Sequence, residues 1–243
     1  MSDISKTVIV TGASGDIGLA TVNTLLEQGY CVAACFHSDE TNLLENVLQR
    51  QHLKTYKLNL SDDDDIKDCA RHICAEASEI LALVNCAGVA SGNLFGMTKI
   101  GDMRALFQIN VFGTLLFTQY VVKKMLRQKR GAIVNIGSTA GIFADVGTLS
   151  YGSSKAALLH ASRVMAAELG PMGIRVNCVA PAVVETKMAN LMDEASRSKL
   201  DERGALPGVT EPRDIANAVA FLISDKAESI SAQTIRIDRG MPF

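Results

Sequence analysis

The 243-residue chain has no tryptophan, only five prolines and a net charge of −2 at neutral pH. That near balance of charge leaves no basic stripe for a phosphate backbone, which excludes the electrostatic footprint of a nucleic-acid binder. The six cysteines, at positions 31, 35, 69, 74, 86 and 178, show neither metal-ligand nor disulfide spacing. Cys31 and Cys35 come nearest to a motif, yet their segment reads as a strand. Buried free thiols are expected, with no metal and a reducing, cytoplasmic compartment. No apolar run is expected to span a membrane, and the first strand begins too early for a secretory signal to precede it. Linkers, low-complexity tracts and repeats are missing too, so nothing divides the chain. The single dense charge run, Asp62-Asp63-Asp64-Asp65, reads as a solvated helix start capped by Ser61.

What the chain does have is 48% hydrophobic residues, arranged as short apolar runs between helical patterns. Strands are expected at Thr7–Thr11, Cys31–Phe36, Lys54–Asn59, Ala82–Asn85, Ala132–Ile136, Arg175–Ala180 and Thr234–Asp238. They are nearly continuous in Val, Ile, Ala and Cys, as strands covered on both faces must be. Helices are expected at Gly18–Gln28, Thr41–Gln51, Asp63–Ser78, Met103–Lys129, Tyr151–Leu169 and Pro212–Ile223. Repeated βα units of this kind predict an α/β fold, a doubly wound parallel sheet in a single domain. The strandless stretch 185–211, lying beyond a strand's C-terminal end, is expected to act as a substrate lid.

Two motifs point to chemistry. Val8-Ile9-Val10 runs into Thr11-Gly12-Ala13-Ser14-Gly15-Asp16-Ile17-Gly18, a strand, a glycine turn and a helix start. Backbone N–H groups at such a junction cradle a pyrophosphate. In Tyr151-Gly152-Ser153-Ser154-Lys155 the phenol and the ammonium are four residues apart on one helix face, and Ser138 lies thirteen residues upstream. An ammonium beside a phenol favours the phenolate. Together the motifs read as hydride transfer to or from a carbonyl. Two further stretches stand out, Asn85-Cys86-Ala87-Gly88 after the fourth strand and Asn110-Val111-Phe112-Gly113 inside an apolar helix. Each also has a purely structural reading, with Asn85 tying two strands and Asn110 merely tolerated. Pro181-Ala182, after the sixth strand, reads equally as a turn.

This set of residues resembles the short-chain dehydrogenase/reductase family over essentially the whole chain. The stretches Asp214–Leu222 and Gln233–Asp238 are most similar to its 3-oxoacyl-[acyl-carrier-protein] reductase branch. The resemblance implies a Rossmann-type fold and a catalytic tetrad of Asn110, Ser138, Tyr151 and Lys155. In those roles Tyr151 is the acid, Ser138 bonds the carbonyl oxygen, Lys155 holds the ribose hydroxyls, and Asn110 anchors a water that passes protons to Lys155. Cofactor contacts are implied at Gly12, Ser14, Gly15, Asp16, Ile17, Gly18, His37, Ser38, Asn59, Leu60, Asn85, Ala87, Gly88, Tyr151, Lys155, Pro181, Val184 and Thr186. NADP(H) is favoured, because Cys35-Phe36-His37-Ser38 offers no acid at the end of the second strand, and NAD(H) is the alternative. The basic residue that many NADPH users place in the glycine turn is replaced by Gly15.

The implied activity is reduction of a 3-oxoacyl thioester, held on acyl carrier protein, by a homotetramer in fatty acid biosynthesis. Reduction or oxidation of another small alcohol, ketone, sugar or polyketide is one alternative; a non-catalytic nucleotide-sensing protein on the same fold is another. For the tetramer, Leu115, Leu116, Phe117, Tyr120 and Val121 are expected to face another copy. For the carrier protein, Lys123, Lys124, Arg127, Lys129 and Arg130 are expected near the cleft mouth, though cations also suit any helix C-terminus. Asp16, Ala182, Cys86 and Arg239 depart from the family pattern. Asp16 puts a carboxylate where a pyrophosphate should lie, and Arg239 interrupts a glycine pair near the C-terminus.

Overall fold

The computed structural model describes residues 6–187, 189 and 203–242. Among them, seven strands form one parallel sheet: β1 (Lys6–Thr11), β2 (Cys31–Phe36), β3 (Leu53–Lys57), β4 (Glu79–Asn85), β5 (Gly131–Ile136), β6 (Ile174–Pro181) and β7 (Thr234–Ile237). Their order is β3-β2-β1-β4-β5-β6-β7, so the chain reverses direction across the sheet between β1 and β4. The helices are α1 (Asp16–Glu27), α2 (Glu40–Asn46), α3 (Asp63–Glu76), α4 (Ile100–Phe107), α5 (Thr114–Gln128), α6 (Leu149–Leu169) and α7 (Pro212–Ile223). Successive residues of β1 serve opposite faces. Val8 and Val10 pack with Leu25 of α1 and Val219 of α7, while Ile9 packs with Ile66 of α3 and Phe117 of α5. Each such fully enclosed side chain contributes about 1.5–3 kcal/mol.

The expected elements are all present, with boundaries moved by tertiary contacts. β3 ends at Lys57, before Asn59. α2 stops at Asn46 rather than residue 51, because Asn23 of α1 closes it: Asn23 Nδ2 donates to Asn46 O (3.2 Å) and Oδ1 accepts the Leu48 N–H (3.0 Å). α3 is capped by Asp62 and not by Ser61; the Asp62 carboxylate accepts the N–H groups of Asp64 and Asp65. The single helix expected over 103–129 is two α-helices joined by a π turn, Gln108–Gly113. By length and composition the stretch Ile100–Gln128, 29 residues, is apolar enough to cross a membrane, which corrects the expectation that no run reaches that length. Half of its apolar window is nevertheless buried inside the fold. Phe117 and Val121 are fully buried against the sheet, so they do not face another copy, whereas Phe112 is 58% exposed. All six cysteines are free, but only Cys35, Cys69 and Cys178 are buried.

Much of the expected lid over 185–211 lies outside the described residues. Its two ends are described: Val184 bridges Thr210 in parallel, and Leu206 N–H donates to Arg239 O (2.9 Å). Arg239 adopts a left-handed φ of 55° that a glycine would take more easily.

A buried polar ladder crosses the sheet centre. Asn85 Nδ2 on β4 donates to Thr118 Oγ1 of α5 (2.9 Å) and to Asn135 Oδ1 of β5 (2.8 Å), and Asn135 Nδ2 donates to Ser162 Oγ of α6 (2.7 Å). Asn135→Ala should cost about 1–3 kcal/mol for each buried partner left unpaired, measured by urea denaturation. At the edge of the sheet, Glu76 accepts bonds from Lys54 (2.9 Å) and Tyr56 (2.8 Å) and meets His72 (2.8 Å), which hold its carboxyl down at about 2. A depressed carboxyl stabilises the fold above its unfolded value and loses that contribution as pH falls through its folded one. Glu76→Gln should therefore flatten the loss of stability between pH 4.5 and about 2 in acid titrations followed by circular dichroism.

Candidate active site

The strand ends at the β1–β4 reversal build the first half of the site. Gly12 has φ +65°, and a Cβ there would lie 2.7 Å from Ala87 Cα. A Cβ on Gly18 would lie 2.1 Å from Gly12 O. Only glycine fits either place. Thr11 Oγ1 accepts the N–H groups of Cys86 and Ala87, both at 3.1 Å, and so stitches the turn to the end of β4. The first helical bond of α1, Leu19 N–H to Gly15 O (2.7 Å), leaves the Asp16, Ile17 and Gly18 N–H groups ahead of it at the positive end of the helix. This cradle, closed to any Cβ at its base, fits a dinucleotide pyrophosphate. Gly15 is different: it is extended (φ −80°), with its nearest neighbour 3.4 Å from a built Cβ, so a larger side chain is admissible there.

The second half forms where β4, β5, the π turn and α6 meet. Lys155 is only 4% exposed; its Nζ donates to Ile136 O (2.7 Å) and lies 5.7 Å from the Tyr151 ring centroid. Among the described residues that is its one hydrogen bond, so a buried ammonium keeps donors for a polyhydroxyl ligand. Asn110 is 1% exposed, held by the π turn. Its Oδ1 accepts Val89 N–H (2.8 Å), and its Nδ2 donates to Val89 O (2.8 Å) and Ser154 Oγ (3.1 Å). Gly88 sits between the two: a Cβ there would lie 3.3 Å from Asn110 Oδ1 and 3.4 Å from Lys155 Nζ. Ser138 lies two residues beyond β5 and accepts Ala140 N–H at 3.2 Å. Backbone approach brings its turn onto α6, since a Cβ on Gly141 would lie 2.8 Å from Ala156 N and one on Gly152 2.6 Å from Ala140 O. The structure therefore gathers Asn110, Ser138, Tyr151, Lys155 and Gly88 at one end of the sheet.

The other expected contacts divide. His37 and Ser38 are exposed just beyond β2, while the Asp39 carboxylate accepts Asn42 N–H (2.8 Å) as the cap of α2. Ser14 O receives Asn42 Nδ2 (2.8 Å), which docks α2 on the glycine turn. Ile17 packs on the core, and Pro181 ends β6 beside Val184, which is 5% exposed. The side chain of Asn85 belongs to the buried ladder, as its strand-tying reading had it. Asn59 Oδ1 accepts Ser61 N–H (3.0 Å), and Leu60 is buried with its carbonyl beneath Gly113, where a Cβ would approach to 2.1 Å. Thr186 Oγ1 turns back on its own segment, donating to Val184 O and accepting Ala189 N–H, both at 3.2 Å. Ser154 and Thr11 were missed by the sequence reading, because a hydroxyl that braces a neighbour leaves no spacing signal. Desolvation of its sulfur pushes the half-buried Cys86 thiol up to about 12 against the opposing effect of Lys155, so it stays protonated at neutral pH.

The basic cluster does not lie at this mouth. α5 runs back along the sheet, so Lys123–Arg130 gather where β5 begins, at the end opposite Gly88 and Ser138. Lys124 Nζ there donates to the carbonyls of Cys74 in α3 (2.9 Å) and of Ala77 just past it (2.6 Å), and Arg130 pairs with Asp225 (2.7 Å).

A parallel sheet with a glycine-turn cradle beside a Ser, Tyr and Lys cluster defines an NAD(P)-dependent oxidoreductase. Residues 12–242 match the family described as Enoyl-(Acyl carrier protein) reductase. The chain belongs to the short-chain dehydrogenase/reductase family. It is 34% identical over 240 residues to the 3-oxoacyl-[acyl-carrier-protein] reductase FabG of Thermotoga maritima, covering 97% of both chains. To the FabG of Staphylococcus epidermidis it is 32% identical over 242 residues, 98% of this chain and 99% of the relative. A short-chain dehydrogenase/reductase structure from Mycobacterium ulcerans superposes with a TM-score of 0.91 at 25% identity, over 99% of this chain and 91% of that one.

Two glycines test the cradle. Gly12→Ala should lower the melting temperature by several degrees, equivalent to about 1–2 kcal/mol or more of lost stability, because both its φ and the Ala87 contact resist a side chain. Gly15→Ala should leave the melting curve within about 0.5 kcal/mol of the parent.

Proposed function

We propose that the protein reduces a 3-oxoacyl thioester to the 3-hydroxyacyl form with NADPH. The observation behind this reading is that Asn110 and Lys155 flank Gly88, with Tyr151 on the Lys155 helix and the Ser138 turn packed on that helix, beside a cradle shaped for a dinucleotide. A bound reduced nicotinamide would supply the hydride to the carbonyl carbon. The Ser138 hydroxyl donates to the carbonyl oxygen and polarises it. Tyr151 delivers its phenolic proton to the developing alkoxide. The buried Lys155 ammonium stabilises the phenolate left behind, and its spare donors hold the ribose hydroxyls. Because the Asn110 side chain is already bonded to Val89 and Ser154, the proton-carrying water is assigned to a main-chain carbonyl loosened by the π turn. Two oxygen-bonding hydroxyls, those of Ser138 and Tyr151, suit a ketone better than the carbon–carbon double bond of an enoyl substrate.

NADPH is preferred to NADH because no free acid follows β2: Asp39 is occupied as a cap, leaving His37 and Ser38 to meet a 2′-phosphate. The position of the cations favours a second reading, in which the acyl group arrives on a small thiol rather than on carrier protein. The intact tetrad speaks against a non-catalytic sensor. We further assign a homotetramer, with Phe112, Leu115 and Leu116 at the contact, residues 185–211 as a lid over the substrate, and a cytoplasmic location suited to free thiols.

Tyr151→Phe should lower turnover about 10²–10⁴-fold while NADPH still binds. Near-normal turnover at neutral pH would overturn the mechanism. Activity across 3-oxoacyl thioesters, enoyl thioesters and simple ketones separates the substrate classes. His37→Asp should shift preference from NADPH toward NADH by at least about tenfold in kcat/KM, through repulsion of the 2′-phosphate. Light scattering at micromolar concentration reads the assembly, and a monomer removes it.

A further inference from the structure

Asp16 opens α1 and sets a carboxylate at the helix end that attracts anions. Its Oδ2 accepts the main-chain N–H of Lys187 at 2.6 Å, a bond between residues 171 apart in sequence. This bond ties α1 to the segment after β6, which is otherwise anchored by the Val184–Thr210 bridge and by Glu185 N–H to Thr210 O (2.9 Å). Beside it lies an open cleft of about 410 Å³, walled by Leu19 and Asn23 of α1 with Glu185 and Pro212, which gives the carboxylate room to turn away. A pyrophosphate seated on the same helix start would bring a second anion against Asp16, and the two repel unless one moves.

We propose that Asp16 is a displaceable latch: it holds the 185–187 segment to α1 in the free protein and releases Lys187 when a dinucleotide binds. The segment carrying Thr186 thereby responds to cofactor occupancy. This inference rests on the dinucleotide reading given above.

Hydrogen exchange at the Lys187 amide, resolved by NMR with and without saturating NADPH, is the direct test. In the parent chain exchange should be slow when free and at least about threefold faster when loaded. Asp16→Ala should exchange fast in both states. Asp16→Asn keeps an acceptor without the charge and should stay protected in both. In fluorescence titrations Asp16→Asn should bind NADPH about three- to tenfold tighter than the parent, a gap that narrows at about 1 M salt. An unaltered Lys187 amide in a chain that does bind NADPH overturns the latch alone, as does an Asn variant that binds no tighter. A chain that binds neither NADPH nor NADH overturns the dinucleotide reading and the latch together.

Discussion

The site depends on main chain touching main chain where no side chain is allowed between. Gly12 against Ala87, Gly18 against Gly12, Gly113 against Leu60, and Gly141 and Gly152 across the α6 contact all hold separations that a Cβ would break. The Gly18 contact closes the turn on itself and the others join separate elements, and each lies at or near the end of the sheet where β1, β4 and β5 finish. Polar main-chain groups brought so close need partners, and short hydroxyl side chains supply them. Thr11 accepts two N–H groups just past β4, and Ser154 donates to the Tyr151 carbonyl while accepting from the Asn110 side-chain amide. The glycines set how near the elements come, and the hydroxyls make that nearness tolerable.

Burying a lysine beside this junction is costly unless its charge is compensated. Lys155 keeps its charge useful by bonding one carbonyl and facing the one tyrosine of its helix turn. The close approach of Gly88 and Gly141 encloses it, and a polar ladder of Thr118, Asn85, Asn135 and Ser162 crosses the same two strands. That ladder ties β4 and β5 to the helices on one face of the sheet. A loss of register between β4 and β5 would displace Gly88 from Ser138, so stability and site geometry share the same bonds. The π turn adds the last adjustment: one extra residue in the helical path seats Asn110 against Val89 rather than along the α5 face.

Much of this was legible before any coordinates. Continuous apolar runs of four to eight residues mean strands covered on both sides, and their alternation with helical patterns fixes a parallel doubly wound sheet. β2 and α7 match their expected limits to the residue because punctuation is local there: a charged or polar break ends Phe36, and Pro212 starts a helix. Where an end is set by a distant group, the limits drifted. α2 is cut short by Asn23 of another helix, and no pattern within residues 41–51 records that.

By itself the sequence determined the fold class, the glycine turn and the chemical identity of the Ser, Tyr and Lys cluster, because periodicity and fixed spacings are properties of the chain alone. Tertiary structure decided direction and company. It turned α5 back along the sheet, so the cations that seemed to guard the cleft lie at its opposite end, two of them already engaged with α3 and Asp225. It buried Phe117 and Val121 in the core, and it engaged the Asn85 side chain in a ladder across the sheet. It also gave Asp16 a partner 171 residues away. Contacts of that kind depend on which surfaces meet after folding, and no local pattern of residues encodes them.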